Sequence, residues 1–69
     1  MAALRLNGTW VEVEDVLAAS EKVRDDIDAT GVGSTEWYDH KAQGEVRMSG
    51  RTVARISYNG RIEWMPVMV

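Results

Sequence analysis

The chain has no cysteine, no phenylalanine, a single proline and a single histidine in its 69 residues. Without cysteine it can form neither a disulfide framework nor a thiolate metal site, so a small core must carry the fold unaided. One proline and no low-complexity run argue against an extended linker or a disordered tail. No apolar stretch approaches the roughly 18 residues of a membrane-spanning helix. The start Met1-Ala2-Ala3-Leu4-Arg5-Leu6-Asn7 is too short and too soon interrupted to act as a secretory signal. A cytoplasmic setting is therefore expected.

What is present is a globular composition, with 45% hydrophobic and 28% charged residues. At 7.7 kDa the chain buries roughly 60% of its extended surface on folding, enough for one domain over residues 1–69 and one core. That excludes a dinucleotide-binding unit, a barrel or a large enclosed active site. Net charge is −3 at pH 7, unevenly spread. Residues 1–31 carry seven acids against Arg5, Lys22 and Arg24, whereas residues 32–69 carry four acids against five bases. The two halves should offer partners different electrostatic surfaces.

Asn-Gly between alternating segments is the strongest short hairpin signal, and it occurs at Asn7-Gly8 and Asn59-Gly60. Around the first, a two-residue loop sets Leu6 opposite Thr9 and Leu4 opposite Val11. Leu4, Leu6, Val11 and Val13 then share one face, with Arg5, Trp10 and Glu12 on the other. From Glu14 the apolar period becomes 3.6. Val16, Ser20, Val23 and Ile27 form a stripe flanked by Val13, Leu17 and Ala19, which predicts an amphipathic helix ending at Gly31 in a left-handed cap.

Residues 36–43 are ambiguous: alternation of Tyr38, His40 and Ala42 suits a strand, while Ser34 as N-cap and Gly44 as C-cap suit a short helix. The strand is favoured. Beyond Gly44 a meander is expected. Two-residue loops would set Ile56 against Glu63 and split the core face with charge. Three-residue loops, Ser49-Gly50-Arg51 and Asn59-Gly60-Arg61, instead pair Met48 with Thr52, Val46 with Ala54, Tyr58 with Ile62 and Ile56 with Trp64. Glu45 then faces Arg55 on the opposite face, and Trp64 joins the core. Pro66 should end the last strand or lie at an edge. The expected fold is α+β: an N-terminal hairpin, one amphipathic helix, and an antiparallel sheet completed by a C-terminal meander.

Two constellations bear on function. Glu14, Glu21, Asp25 and Asp28 fall within about 60° on a helical wheel and span roughly 21 Å, an anionic ridge opposite the apolar stripe. Such a ridge is ordinarily a solvated face; alternatively it pairs with Lys and Arg intended for nucleic acid. On the other side, Arg47 and Arg55 with Trp10 and Trp37 resemble a base-stacking surface, but Glu12, Glu45 and Glu63 would repel phosphates, and an Arg5–Trp10 stack explains the tryptophan more simply. Direct nucleic-acid binding is accordingly disfavoured. Trp10 and Trp37 are instead candidates for a protein interface. Met65, Val67, Met68 and Val69 form an apolar tail that could join two subunits, so a structural or regulatory homo-oligomer, such as a homodimer, is the alternative.

Catalysis has little support. His40 is the only histidine, no nucleophile with base and orienting group is evident, and Gly31-Val32-Gly33-Ser34-Thr35 lacks the lysine and spacing of a phosphate-binding loop. No catalytic, cofactor-binding or metal-binding residue is assigned. In size, acidity and lack of catalytic motifs the chain resembles the small inhibitors of phages and mobile elements, anti-CRISPR proteins among them. The resemblance rests on no shared motif and transfers no residue. It implies a stoichiometric binder that occupies a basic surface of a host nucleic-acid-processing complex.

Overall fold

A computed structural model describes residues 1–31 and 33–65. Five antiparallel strands form one open sheet: β1 (Ala2–Leu6), β2 (Thr9–Val13), β3 (Glu45–Met48), β4 (Arg51–Ile56) and β5 (Ile62–Trp64), in the spatial order β2-β1-β3-β4-β5. Helix α1 (Val16–Thr30) and a single turn, α2 (Ser34–Tyr38), lie between β2 and β3 in the chain. The architecture is α+β, with the N-terminal hairpin and C-terminal strands expected from the pattern.

The first hairpin has the register its turn dictates. Asn7 and Gly8 both adopt positive φ, 52° and 85°, as a two-residue type I′ turn requires, and the pairs run from Leu6↔Thr9 to Ala2↔Val13. Following the registers across the sheet gives one row on the helix side, Val11–Leu4–Val46–Ala54–Trp64. Leu4, Val46 and Ala54 in its middle are fully buried. Helix α1 lays Val16, Ala19, Ser20 and Val23 against this face. It begins where Asp15 accepts a hydrogen bond from the Ala18 amide at 2.8 Å, and ends at Gly31 with φ 66°. Glu14 precedes that cap, so it stands outside the helix rather than on its wheel. Leu17, expected beside the core stripe, is 66% exposed, because the buried arc of the helix lies on the Val16 and Val23 side.

Residues 36–43 are not a strand. The chain makes one helical turn, capped by Gly33 rather than Ser34, and then turns through residues 39–44 with Ala42 at φ 58° and Gly44 at φ 81°. Two tertiary demands select this path. Trp37 is only 1% exposed, and a helical turn delivers it into the core where a strand could not. Gln43 is buried and holds the first turn: its Oε1 accepts from the Asn7 amide at 2.8 Å and its Nε2 donates to Asn7 Oδ1 at 2.9 Å. Gly44 then passes so close to the Ile56 carbonyl that a side chain has no room.

The meander differs from expectation at both loops. Ser49 (φ 54°) and Gly50 (φ 76°) form a two-residue turn that pairs Met48 with Arg51. A bulge between Val46 and Arg47 then restores Val46↔Ala54 and Glu45↔Arg55, absorbing one residue of β4 and reconciling the tight turn with the apolar face. The second loop does contain three residues, but they are Tyr58, Asn59 and Gly60, closed by Gly60 N–H to Ser57 C=O and Ser57 N–H to Arg61 C=O, each 2.9 Å. Ile56 therefore pairs with Ile62, and Trp64 with Ala54. At the end of its row on the edge strand, Trp64 is 65% exposed instead of central. Met65, the first residue of the expected apolar tail, donates its amide to the Val53 carbonyl at 3.0 Å; the rest of that tail, with Pro66, lies outside the described residues. Among the described residues no helix is long and apolar enough to cross a membrane.

Candidate interaction surfaces

The sheet face away from the helix carries a charged lattice. Arg5 and Arg47 stack on the Trp10 ring, with their guanidinium carbons 5.4 and 4.9 Å from its centroid. Arg47 starts two strands away from Trp10 and reaches it over Ala3, its direct neighbour on β1. The same guanidinium donates from Nε to Glu45 Oε1 at 2.9 Å. Glu45 also accepts from the Thr52 hydroxyl and faces Arg55 across the ladder. The Thr52 hydrogen bond, followed by Arg47 and Arg55, holds its carboxyl below the usual carboxylate range, against the opposing effect of burial. Glu45 is thus a structural carboxylate that occupies Arg47.

The groups that suggested a base-stacking surface are mostly engaged elsewhere. Trp10 already has its stacking partners, Arg47 has its carboxylate, and Trp37 is absent from the face, being buried under the helix layer. Of the two tryptophans considered for an interface, only Trp10, at 42% exposure, is accessible. The Trp37 indole N–H is buried without a hydrogen-bond partner among the described residues. The sequence pattern set Trp37 beside Trp10 as an interface candidate and gave the core place to Trp64, which the structure reverses for Trp37 and Trp64.

Helix α1 presents the second surface. Glu21, Asp25 and Asp28 are exposed and fall at i, i+4 and i+7, one stripe opposite Val23. Glu14 is exposed just before the cap. Among the described residues the sole ion pair is Arg47–Glu45, so none of these acids is neutralised. Of the two cations on the helix, Lys22 is exposed and Arg24 packs against Gly60 in the second loop. Asp26 turns the other way and accepts from Asn7 Nδ2 at 3.3 Å.

Within the stripe itself the charges oppose the helix, although Lys22 or Arg24 stands three or four residues from each acid without forming an ion pair among the described residues. Glu21 and Asp25 are like charges one turn apart, a spacing that destabilises by about 0.2–0.5 kcal/mol. Asp28 lies in the last turn, which contains no basic residue, although the carbonyl end of a helix favours cations. His40 and Asp39 are both exposed, and among the described residues no three His, Asp or Glu side chains converge as metal ligands. No family model matches the chain, and comparison with curated proteins and with solved structures finds none similar to it.

Proposed function

We propose that the chain is a non-enzymatic protein-binding module whose acidic helix face docks on a basic, nucleic-acid-binding surface of a partner. One observation carries this: α1 holds Glu21, Asp25 and Asp28 on a single exposed stripe, unpaired among the described residues, with like charges one turn apart and an acid in the last turn. Local arrangements that oppose stability concentrate where function requires them. A partner's Lys and Arg side chains would supply the missing counter-charges, and the capped, packed helix holds the carboxylates at fixed spacing without an ordering cost at binding. Stoichiometric occupation of such a surface is inhibition by charge mimicry, the action implied by the likeness to phage and mobile-element inhibitors.

The test is a comparative capture from bacterial lysate, read by mass spectrometry. Wild type should retain a basic nucleic-acid-binding protein in a manner that weakens as salt rises. The combined Glu21→Ser, Asp25→Ser and Asp28→Ser variant should keep its far-UV circular dichroism and lose that protein. Arg47→Ser with Arg55→Ser should keep it. If the arginine variant loses the partner and the acid variant holds it, the proposal fails and the sheet face is the site.

A further inference from the structure

The edge strand β2 has one side paired with β1 and, among the described residues, no strand on the other. Which backbone groups it offers follows from the register. Arg5 gives its carbonyl to the Gly44 amide at 2.8 Å, on the β3 side, so Arg5 and its partner Trp10 form a non-hydrogen-bonded pair in the hairpin. The alternation makes Ala3↔Glu12 the next such pair. The N–H and C=O groups of Trp10 and Glu12 therefore point away from β1, along the open edge.

Edge strands are commonly blunted by proline, lysine or a bulge. Strand β2, Thr-Trp-Val-Glu-Val, has none of these; its one charge is Glu12, and its other four residues favour extended structure. We infer that β2 pairs antiparallel with β2 of a second copy about a two-fold axis at Val11, joining the two sheets edge to edge.

Charge complementarity selects this occupant. The two-fold places Trp10 opposite the partner's Glu12, and Glu12 opposite the partner's Trp10, each pair exchanging both backbone hydrogen bonds. On the open face, the partner's Glu12 then arrives beside a tryptophan already covered by the Arg5 and Arg47 guanidiniums. Each monomer supplies both the anion and the cationic site, as a self-complementary contact needs. On the helix side, Val11 meets the partner's Val11, and Thr9 meets the partner's Val13, so the seam is largely apolar where it borders the core. With five residues a side the contact is smaller than a standard interface, which makes the dimer concentration-dependent. The helix acids remain free on the opposite layer.

Light scattering behind size exclusion, at rising protein concentration, tests this directly. Wild type should pass from monomer mass toward dimer mass. Glu12→Pro removes an N–H that points outward and spares the β1 ladder, so it should stay monomeric with unchanged circular dichroism. Glu12→Arg should raise the dimer dissociation constant about tenfold or more, and Glu12→Arg combined with Arg5→Glu should recover most of that loss. The triple serine variant of the helix should dimerise like wild type, which separates this inference from the fate of the proposed function. A wild-type monomer at every concentration, or dimers that persist in both Glu12→Pro and Glu12→Arg, would overturn it.

Discussion

The dipeptide Asn-Gly closes two loops of this molecule and folds differently in each. At Asn7-Gly8 both residues are left-handed and the loop has two residues. At Asn59-Gly60 only Gly60 has positive φ, 82°, and it closes a three-residue loop as the left-handed residue after an ordinary turn. The difference lies in what surrounds them. Around the first, Gln43 and Asp26 bond Asn7 without altering its two-residue form, and Gly8 itself is uncovered, with the His40 ring 4.0 Å from where its side chain would begin. In the second, the Gly60 carbonyl accepts a hydrogen bond from the buried Ser20 hydroxyl, the Arg24 side chain lies on Gly60, and the Tyr58 amide donates to the Tyr38 hydroxyl at 3.1 Å. A local preference prevails where the surrounding contacts accept the two-residue loop, and yields where the helix packs on the glycine itself.

The comparison breaks most completely if the helix is lifted off. Val23 is fully buried on the side of α1 that bears Ser20, so Val23→Asp should cost several kcal/mol and unfold the domain. Glu21→Lys, on the exposed stripe, should change stability by no more than about 0.5 kcal/mol. Urea midpoints that coincide for the two variants would refute the helix phase.

A finer test uses the two glycines. Gly8 and Gly60 share nearly the same positive φ, 85° and 82°, so alanine meets similar backbone strain at each, about 1–2 kcal/mol. At Gly60 the new methyl would also lie 2.5 Å from Arg24 Cγ. Gly60→Ala should thus destabilise by about 1 kcal/mol more than Gly8→Ala. In an Arg24→Ala background the gap should close, since the excess belongs to that contact. Equal costs in wild type would show that the second loop is as independent of the helix as the first.

The smallest effect concerns acid. The Glu45 carboxyl is held below its ordinary range, so its contribution to stability is complete above the usual carboxylate pKa, about 4.3, and disappears as pH falls through the lower folded value. Thr52→Val removes the leading cause. It should reduce stability near neutrality by about 1 kcal/mol and flatten the loss on acidification, as followed by thermal melts between pH 3 and 7, both approximate bounds. An acid limb as steep as that of wild type would mean that Glu45 does not anchor the β3–β4 ladder.

The Val46↔Ala54 and Glu45↔Arg55 pairs match the expected pattern but are reached through a two-residue turn and a bulge that it did not show; local patterning was enough for the first hairpin, the buried stripe of α1 and the acids Glu21, Asp25 and Asp28 on its outer face. In each case a period or a turn residue acts within a few positions of itself. The sequence alone also marked Trp10 as accessible and pointed to Arg5 as its partner; the reach of Arg47 over Ala3 required the order of the strands. Only the tertiary structure decided the rest. It buried Trp37 and exposed Trp64, because a shift of two residues in the β4–β5 register keeps a side chain on the same face while moving it along the strand, past the end of the core. It turned residues 36–43 into a helical turn and loop, because Trp37, Gln43 and Gly44 answer to distant partners: the core, Asn7 and Ile56. Alternation specifies which side of a sheet a residue faces; what covers that side, and where the cover stops, depends on contacts between segments far apart in the chain.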